Sequence, residues 1–200
     1  MAGMRIGLTG GIAAGKSTVA KWMRQAGLVV VDADRLVAGL YHPDGEGSAV
    51  IERLFGPSYL DDDGGVRHAR VAARVFADPP ARRQLEAEIH PLVKHEFEAI
   101  AAETTGIVVL EAPLLVEAGF ASDMDLVVTV EADPDTRLRR AIERGLDATE
   151  ARRRMDAQSS EATRVDAAHR ILRNDGSLEE LREEVDNLVA DIRTLAGHRG

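Results

Sequence analysis

The chain contains no cysteine among its 200 residues, and only 4% of its residues are aromatic. The absence of cysteine excludes disulfide bonds and thiolate metal sites and is consistent with a reducing compartment. Few aromatic side chains are available to stack on nucleic-acid bases. No apolar run approaches the roughly 18–20 residues of a membrane-spanning helix, and no signal-peptide segment is evident. We therefore expect a cytoplasmic protein with no membrane and no nucleic-acid partner.

Positive charge is also scarce overall, since the formal net charge is −9 at pH 7. This balance argues against a general nucleic-acid-binding protein. The arginines are nevertheless concentrated, because residues 137–164 contain eight of them against five acidic residues. A basic patch on an acidic chain favours a compact anionic ligand. A solvated helical face with internal ion pairs would have the same composition.

Short apolar segments alternate with helical ones along the chain. The predicted strands are 4–9, 28–31, 106–110, 125–130 and 169–172. The predicted helices are 16–26, 34–41, 80–104, 134–144 and 178–195, with Asp133 capping the fourth and a Ser177–Glu180 capping box starting the fifth. This alternation is typical of an α/β fold with a parallel sheet whose strands are buried on both faces. The stretch 42–105 shows no convincing strand and predicts a helical insertion.

One glycine-rich turn carries a chemical signature. The sequence TGGIAAGKST at residues 9–18 matches the P-loop pattern G-x-x-x-x-G-K-[ST], with a predicted strand before it and a predicted helix after it. In such a loop the backbone N–H groups and the helix N-terminus surround phosphate oxygens. We expect the nucleotide to be bound by Gly11, Ile12, Ala13, Ala14, Gly15, Lys16, Ser17 and Thr18.

Two side chains at the end of this loop have specific uses. Lys16 is long enough to reach the β- and γ-phosphates, and the Ser17 hydroxyl is a suitable ligand for Mg²⁺. The chain has no N-K-x-D motif of the kind with which switch GTPases read the base. This favours a kinase or an ATPase over a GTPase.

An acidic pair follows the second predicted strand in the sequence VVVDADRL. Ligands of open α/β sheets bind beyond the carboxyl ends of the strands. One carboxylate could accept the proton of an attacking hydroxyl while the other holds Mg²⁺ or its waters. Either could instead cap the next helix. The sequence leaves open which of Asp32 and Asp34 has which role.

The arginine-rich stretch predicts a hairpin of two helices, 137–144 and 147–158. Arg140 and Arg144 are four residues apart and share a helix face. Such a hairpin could close over the phosphates as a lid, stabilise the transferred phosphoryl group and exclude water. We therefore predict a single P-loop kinase domain over 1–200, with a core at about 1–41, 106–136 and 165–200, the insertion at about 42–105 and the lid at about 137–164.

Several segments resemble the dephospho-CoA kinase family when taken together. These are IGLTGGIAAGKS, VVDADRL, IHPLV, APLLVEAG, RLRRAIERG, MDAQ and the Asn174-Asp175-Gly176 turn, in this order over roughly residues 4–190. The P-loop alone is shared with many enzymes, whereas DAD, HP-L and PLL-E at these spacings are more selective. The resemblance implies ATP-dependent phosphorylation of the ribose 3′-hydroxyl of dephospho-CoA, the last step of coenzyme A synthesis.

The resemblance also implies roles for individual residues. Catalysis would involve Asp34, Lys16 and Arg140, and Mg²⁺ would be held by Ser17 and Asp32. ATP would additionally contact Arg144, Asn174 and Gly176. Dephospho-CoA would be bound by the insertion and by Asp32, His90, Pro91, Pro113, Leu114 and Leu115. His90 could equally be a structural helix-end residue, and Leu114 and Leu115 could be ordinary core.

Four positions depart from the family pattern, and one of them is His169, which stands where aspartate is frequent at the start of the last predicted strand. Ala13 stands where the family loop usually has glycine, Glu111 where aspartate is frequent, and His68 where arginine is common.

Two other functions remain open. Another small-molecule P-loop kinase, acting on a nucleoside, nucleotide or sugar acid, would differ in acceptor, and a P-loop regulator would bind nucleotide without acceptor chemistry. We expect a monomer or a weak homo-oligomer.

Overall fold

The fold is built on one sheet, seen in a computed structural model that describes residues 3–198. Its strands are β1 (Met4–Gly10), β2 (Val29–Asp32), β3 (Ile107–Glu111), β4 (Leu126–Glu131) and β5 (Arg170–Arg173). They form a five-stranded parallel sheet in the order β2-β3-β1-β4-β5. The predicted α/β fold is confirmed, and each predicted strand lies within one residue of an observed strand.

Nine α-helices are found within residues 3–198. They are α1 (Lys16–Gln25), α2 (Ala33–Leu40), α3 (Glu46–Phe55), α4 (His68–Ala77), α5 (Pro79–Glu103), α6 (Pro134–Glu143), α7 (Ala148–Ala157), α8 (Glu161–Ala167) and α9 (Leu178–Gly197). The individually predicted helices match to within two residues, and both predicted N-terminal caps form. The short α8 was not predicted. Among the described helices, none is long and apolar enough to cross a membrane.

Burial differs between the central and outer strands. Strands β1, β3 and β4 are almost entirely buried, as expected for strands covered on both faces. The same expectation is wrong for the outer strands β2 and β5, where Val29 is 43% exposed and Ile171 is 41% exposed. An outer strand has a neighbour on one side only, so the helices that cover the middle of the sheet shield it less completely.

The chain divides into two compact units. The first combines the residues up to Val31 with those from Ala101 onward. Its core lies between the sheet and helices α1 and α9, and it contains Leu8, Val19 and Ile192, all completely buried. Residues 1–2 and 199–200, at the ends of the predicted core, lie outside the described residues.

The second unit comprises Asp32–Ile100 and is helical. Its buried side chains include Ile51, Val71, Val93 and Phe97. The β-type pairing described in this unit is an isolated antiparallel bridge between Leu60 and Val66. Helix α2 belongs to this unit because it packs on α3, whereas the predicted insertion starts after α2.

The first unit also buries an ion pair at the end of β4. Arg164, on α8, donates through Nε and Nη2 to the two carboxylate oxygens of Glu131, each at 2.7 Å. The Thr129 hydroxyl donates to the same carboxylate at 2.6 Å, and Arg164 Nη1 donates to the Ser159 carbonyl at 2.5 Å. Both charged side chains are almost completely buried. This network attaches α8 to the sheet.

Removing the acidic partner should therefore be costly. We expect Glu131→Gln to lower the free energy of unfolding by about 3–5 kcal/mol, because Arg164 would keep a buried charge without a counter-charge. Urea unfolding at neutral pH measures this loss.

The matched control is Glu161→Gln. Glu161 pairs with Arg173 at 2.6 Å, but on the surface, so the expected loss is at most about 1 kcal/mol. Equal losses for the two variants would contradict the role assigned to the buried pair.

Candidate active site

The P-loop forms a tight turn between the end of β1 and the start of α1. Gly15 has a φ of 112°, in the left-handed region, and a Cβ there would overlap the Asn174 side-chain amide. Ala13 also lies in the left-handed region, with a φ of 59°. That conformation costs an L-residue about 1–2 kcal/mol, which explains why the family pattern has glycine where this chain has Ala13.

Lys16 is held by a buried acid on the neighbouring strand. Its Nζ donates to Glu111 Oε1 at 2.9 Å, and Arg24 Nη2 donates to Glu111 Oε2 at 3.1 Å. Glu111 is the last residue of β3, which pairs with β1, and only 5% of it is exposed. From the sequence, Glu111 is identified only as a departure from the family pattern. Its position after an apolar strand next to the P-loop strand was the available signal.

Asn174 attaches the end of β5 to the P-loop. Its buried Nδ2 donates to the Ala14 carbonyl at 2.7 Å, and its backbone N–H donates to the Glu131 carbonyl at 2.9 Å. Gly176 follows in the turn before α9, where a Cβ would overlap the Glu180 carboxylate that completes the capping box. The structure thus places Asn174 against the predicted nucleotide loop and gives Gly176 a role in the turn.

The arginine-rich segment forms a helical hairpin in which α6 packs on α7. The chain after α7 is attached to two other loops. Gln158 Oε1 accepts a hydrogen bond from the Ile12 N–H at 2.7 Å, and Glu117 Oε1 accepts one from the Ser159 N–H at 2.8 Å. The predicted lid hairpin is therefore joined at its C-terminal end to the P-loop. Neither Gln158 nor Glu117 was selected from the sequence.

The arginines of α6 differ in burial. Arg144 follows the helix and is exposed, whereas Arg140 is partly buried and its Nη1 has no hydrogen-bond partner within residues 3–198. Arg137 is only 8% exposed and lies against Gly11 of the P-loop. Burial lowers the pKa of Arg137, and the nearby positive charge of Arg164 lowers it further. Arg140 and Arg144 are predicted site residues, whereas Arg137 was not predicted from the sequence.

The segment after β3 contains three residues predicted to bind the acceptor, and these residues differ in exposure. Pro113 is partly exposed and Leu114 is 39% exposed, so both are open to a ligand. Leu115 is completely buried, and its Cδ2 lies only 2.8 Å from where a Cβ on Gly7 would be. The prediction that Leu115 lines an acceptor site is therefore corrected to a core position, because its side chain fills the space beside a strand glycine.

The acidic pair lies at the start of the second unit. Asp32 Oδ1 accepts a hydrogen bond from the Asp34 N–H at 2.9 Å and caps α2, while Asp34 lies in the first turn. The capping alternative thus holds for Asp32, through one of its two carboxylate oxygens. A capping contact of this kind fixes the backbone that carries Asp34.

His90 and Pro91 lie inside α5, which continues through both. His90 is therefore not a helix-end residue. Burial lowers its pKa, an effect that Glu86 partly opposes, so the ring favours its neutral form. Pro91 is exposed.

His68 begins α4 and stacks at an angle on Tyr41, with 5.4 Å between the ring centroids. Burial raises the pKa of Tyr41 to about 12. The histidine that replaces the family's frequent arginine is thus involved in a ring contact within the second unit.

Comparison with known proteins agrees with this geometry. The family model described as dephospho-CoA kinase (CoaE) matches residues 4–180. A dephospho-CoA kinase of Leifsonia xyli is 44% identical over 94% of this chain and 98% of its own length. The fold matches a Thermus thermophilus crystal structure with a TM-score of 0.82 and 34% identity, covering 96% of this chain and 98% of that one. It also matches a dephospho-CoA kinase from Campylobacter jejuni with a TM-score of 0.71 and 22% identity, covering 95% and 97% of the two chains.

The family match covers the P-loop, the Asp32–Asp34 pair, the α6–α7 hairpin and Asn174 in one continuous stretch. The Leifsonia relative extends this similarity over nearly the whole of both chains. The chain therefore belongs to the dephospho-CoA kinase family, ATP-dependent phosphotransferases of coenzyme A biosynthesis.

Proposed function

We propose that the chain transfers the γ-phosphoryl group of ATP to the ribose 3′-hydroxyl of dephospho-CoA, giving coenzyme A and ADP, through the residues described above. The observation that carries this proposal is Lys16, which sits in a complete P-loop and is held in place by Glu111. The family match supports the identity of the acceptor.

ATP binding follows from the P-loop. Residues 11–18 supply backbone N–H groups and the N-terminus of α1, both of which favour phosphate oxygens. Some of these N–H groups are already bonded within the protein, including that of Ile12 to Gln158 Oε1 and that of Ala14 to the Gly11 carbonyl. An ammonium group has three N–H donors. Lys16 can therefore keep its contact with Glu111 and still donate to the β- and γ-phosphates, where charge changes during transfer.

The donor set fits Mg²⁺ bound mainly by phosphate and water. No group of three or more metal-ligating carboxylates and imidazoles occurs in the part of the chain that the structure describes. Magnesium sites in kinases use one or two protein oxygens together with substrate phosphates and water. Ser17, exposed in the first turn of α1, fits as one ligand, and Asp32 is the second candidate. Bound Mg²⁺ would neutralise charge on the phosphates.

Asp34 is the candidate for the base. Asp32 already uses Oδ1 to cap α2, which holds Asp34 in the first turn of that helix. This contact favours a positioning or metal role for Asp32 and leaves proton acceptance to Asp34. In a loose phosphoryl-transfer transition state, orienting the hydroxyl contributes more than removing its proton.

The α6–α7 hairpin is proposed as the lid. Arg140 brings a buried N–H donor without a partner among residues 3–198, which suits a phosphoryl oxygen. Arg144 would support it from the end of α6. Excluding water matters because water would otherwise compete with the acceptor and hydrolyse ATP.

The second unit and the segment after β3 each carry residues that we propose as acceptor contacts. We propose His90, Pro91, Pro113 and Leu114 as contacts of dephospho-CoA. The neutral form of His90 can both donate and accept hydrogen bonds, which suits an uncharged polar group of the acceptor.

The acceptor panel tests the reaction itself. We expect ADP release from MgATP to rise strongly with dephospho-CoA, with coenzyme A as product, and to stay at its basal rate with adenosine, AMP, gluconate or shikimate. Turnover on one of those acceptors instead would assign a different small-molecule kinase. ATP binding with no acceptor-dependent turnover would favour a regulator.

Lys16→Ala tests the phosphate contact. We expect turnover to fall about 10²-fold or more, since a preorganised cation at the transferring group is lost. Lys21→Ala is the matched control, because Lys21 is on the exposed face of the same helix and its loss should leave the rate unchanged. A near-normal rate for Lys16→Ala would remove this residue from the mechanism.

Asp34→Asn and Asp32→Asn separate the two acidic roles. We expect Asp34→Asn to lower kcat much more than it weakens ATP binding. Asp32→Asn should instead raise the Mg²⁺ concentration needed for half-maximal rate, while asparagine still caps α2. Titrations of Mg²⁺ and ATP with both variants measure this, and the reverse pattern would exchange the two roles.

A further inference from the structure

Arg137, near the start of α6, is a buried cation whose donors are not all used. Only 8% of the residue is exposed, and its Nε and Nη1 have no hydrogen-bond partner within the described residues 3–198. A buried donor without an acceptor loses its hydrogen bonds to water and gains nothing in return. For a charged group the loss is larger.

The acidic groups around Arg137 are already engaged. Both oxygens of Glu131 accept hydrogen bonds from Arg164. Asp133 accepts from the backbone at the start of α6, and Glu161 pairs with Arg173 at 2.6 Å. These three carboxylates favour the charged form of Arg137, but burial and the neighbouring Arg164 have the larger, opposite effect on its pKa.

The guanidinium group lies against the P-loop backbone at Gly11. A Cβ built on Gly11 would overlap Nη1 of Arg137. This Cβ would also lie 2.8 Å from Cζ of Arg137 and 3.1 Å from Nη2 of Arg164. Only glycine permits this approach. The uncompensated cation is thus directed at the loop whose N–H groups surround phosphate oxygens in proteins of this type.

We propose that Arg137 binds an oxygen of the ATP phosphate chain, as a residue additional to Lys16 and the arginines already assigned. The inference rests on the proposed role of the loop as the ATP site. A phosphate oxygen accepts the hydrogen bond that Nη1 lacks beside Gly11, and its charge compensates the guanidinium. Arginine suits this contact because its guanidinium stays charged and its hydrogen bonds to phosphate are charge-assisted.

This role predicts opposite effects on the free and nucleotide-bound protein. In the free protein, an apolar side chain in place of Arg137 removes an uncompensated buried charge, so stability should be maintained or rise. In the complex, the same substitution removes a charge-assisted contact, so ATP affinity should fall. A residue that only supports the fold would lower stability and would weaken all ligands of the site together.

The experiment uses the full chain without acceptor and compares Arg137→Met, Arg137→Lys and Arg139→Met. Arg139 is the matched control, because it lies two residues away on α6, is exposed and pairs only loosely with Glu143 at 3.9 Å. Calorimetry or displacement of a fluorescent nucleotide gives the dissociation constants of ATP, ADP and adenosine. Urea unfolding without ligand gives the stability of each variant.

We expect Arg137→Met to weaken ATP binding at least tenfold, which corresponds to about 1.4 kcal/mol, with adenosine affinity and free-state stability not reduced. Arg137→Lys should retain part of the affinity, and Arg139→Met all of it. Loss for both ATP and ADP would place the contact at the α- or β-phosphate, and loss for ATP alone at the γ-phosphate. Both results support the proposal.

Two results would overturn it. One is unchanged ATP affinity in Arg137→Met. The other is an equal loss for ATP and adenosine, which would make Arg137 a residue that supports the fold. Measurements on the wild-type chain separate this inference from the proposed function. ATP binding by the wild type tests the role of the loop, and its turnover with the acceptor panel tests the reaction. The difference in ATP affinity between wild type and Arg137→Met tests Arg137.

Discussion

The site depends on holding the backbone of the P-loop in an open turn. Such a turn leaves several of its backbone polar groups without partners inside the loop, so they need partners elsewhere in the fold. Asn174 donates to the Ala14 carbonyl and Gln158 accepts from the Ile12 N–H. The first contact comes from the end of β5 and the second from the end of α7. The sheet and the arginine-rich hairpin therefore both support the loop that binds phosphate.

Two cations near the loop are held by buried glutamates, whereas two arginines of α6 keep buried donors without a partner among the residues that the structure describes. Lys16 and Arg164 are each bound by a buried glutamate at the end of a strand next to β1, Glu111 on β3 and Glu131 on β4. Burying an ion pair brings little net stability because both charges lose water. What the pairs provide here is position, since each fixes a cation close to the loop. Arg137 and Arg140 instead keep buried donors without a partner in the described structure, which a polyphosphate can satisfy.

Local sequence patterns predicted which segments form helices and strands better than they predicted which residues those segments contact. The strands were found because buried parallel strands read as continuous apolar runs, and α6 and α9 because their caps depend on residues within three positions of each other. Helix α8 has seven residues, too few for a clear hydrophobic period, and Arg164 in it was counted with the basic patch at 137–164. Leu115 was ambiguous because an apolar residue after a strand fits a pocket and a core equally well.

The sequence alone determined the α/β alternation, the phosphate loop with Lys16 and Ser17, and the acidic pair after the second strand. It also determined the resemblance to one kinase family. Each of these features depends on residues that are neighbours in the chain. Only the tertiary structure decided that Glu111 holds Lys16, that Glu131 is used by Arg164 and that Arg137 lies on Gly11. The partners in these contacts are 33 to 126 positions apart in the chain. Contacts over such distances arise only when the sheet and its helices bring the segments together, and no local periodicity encodes them.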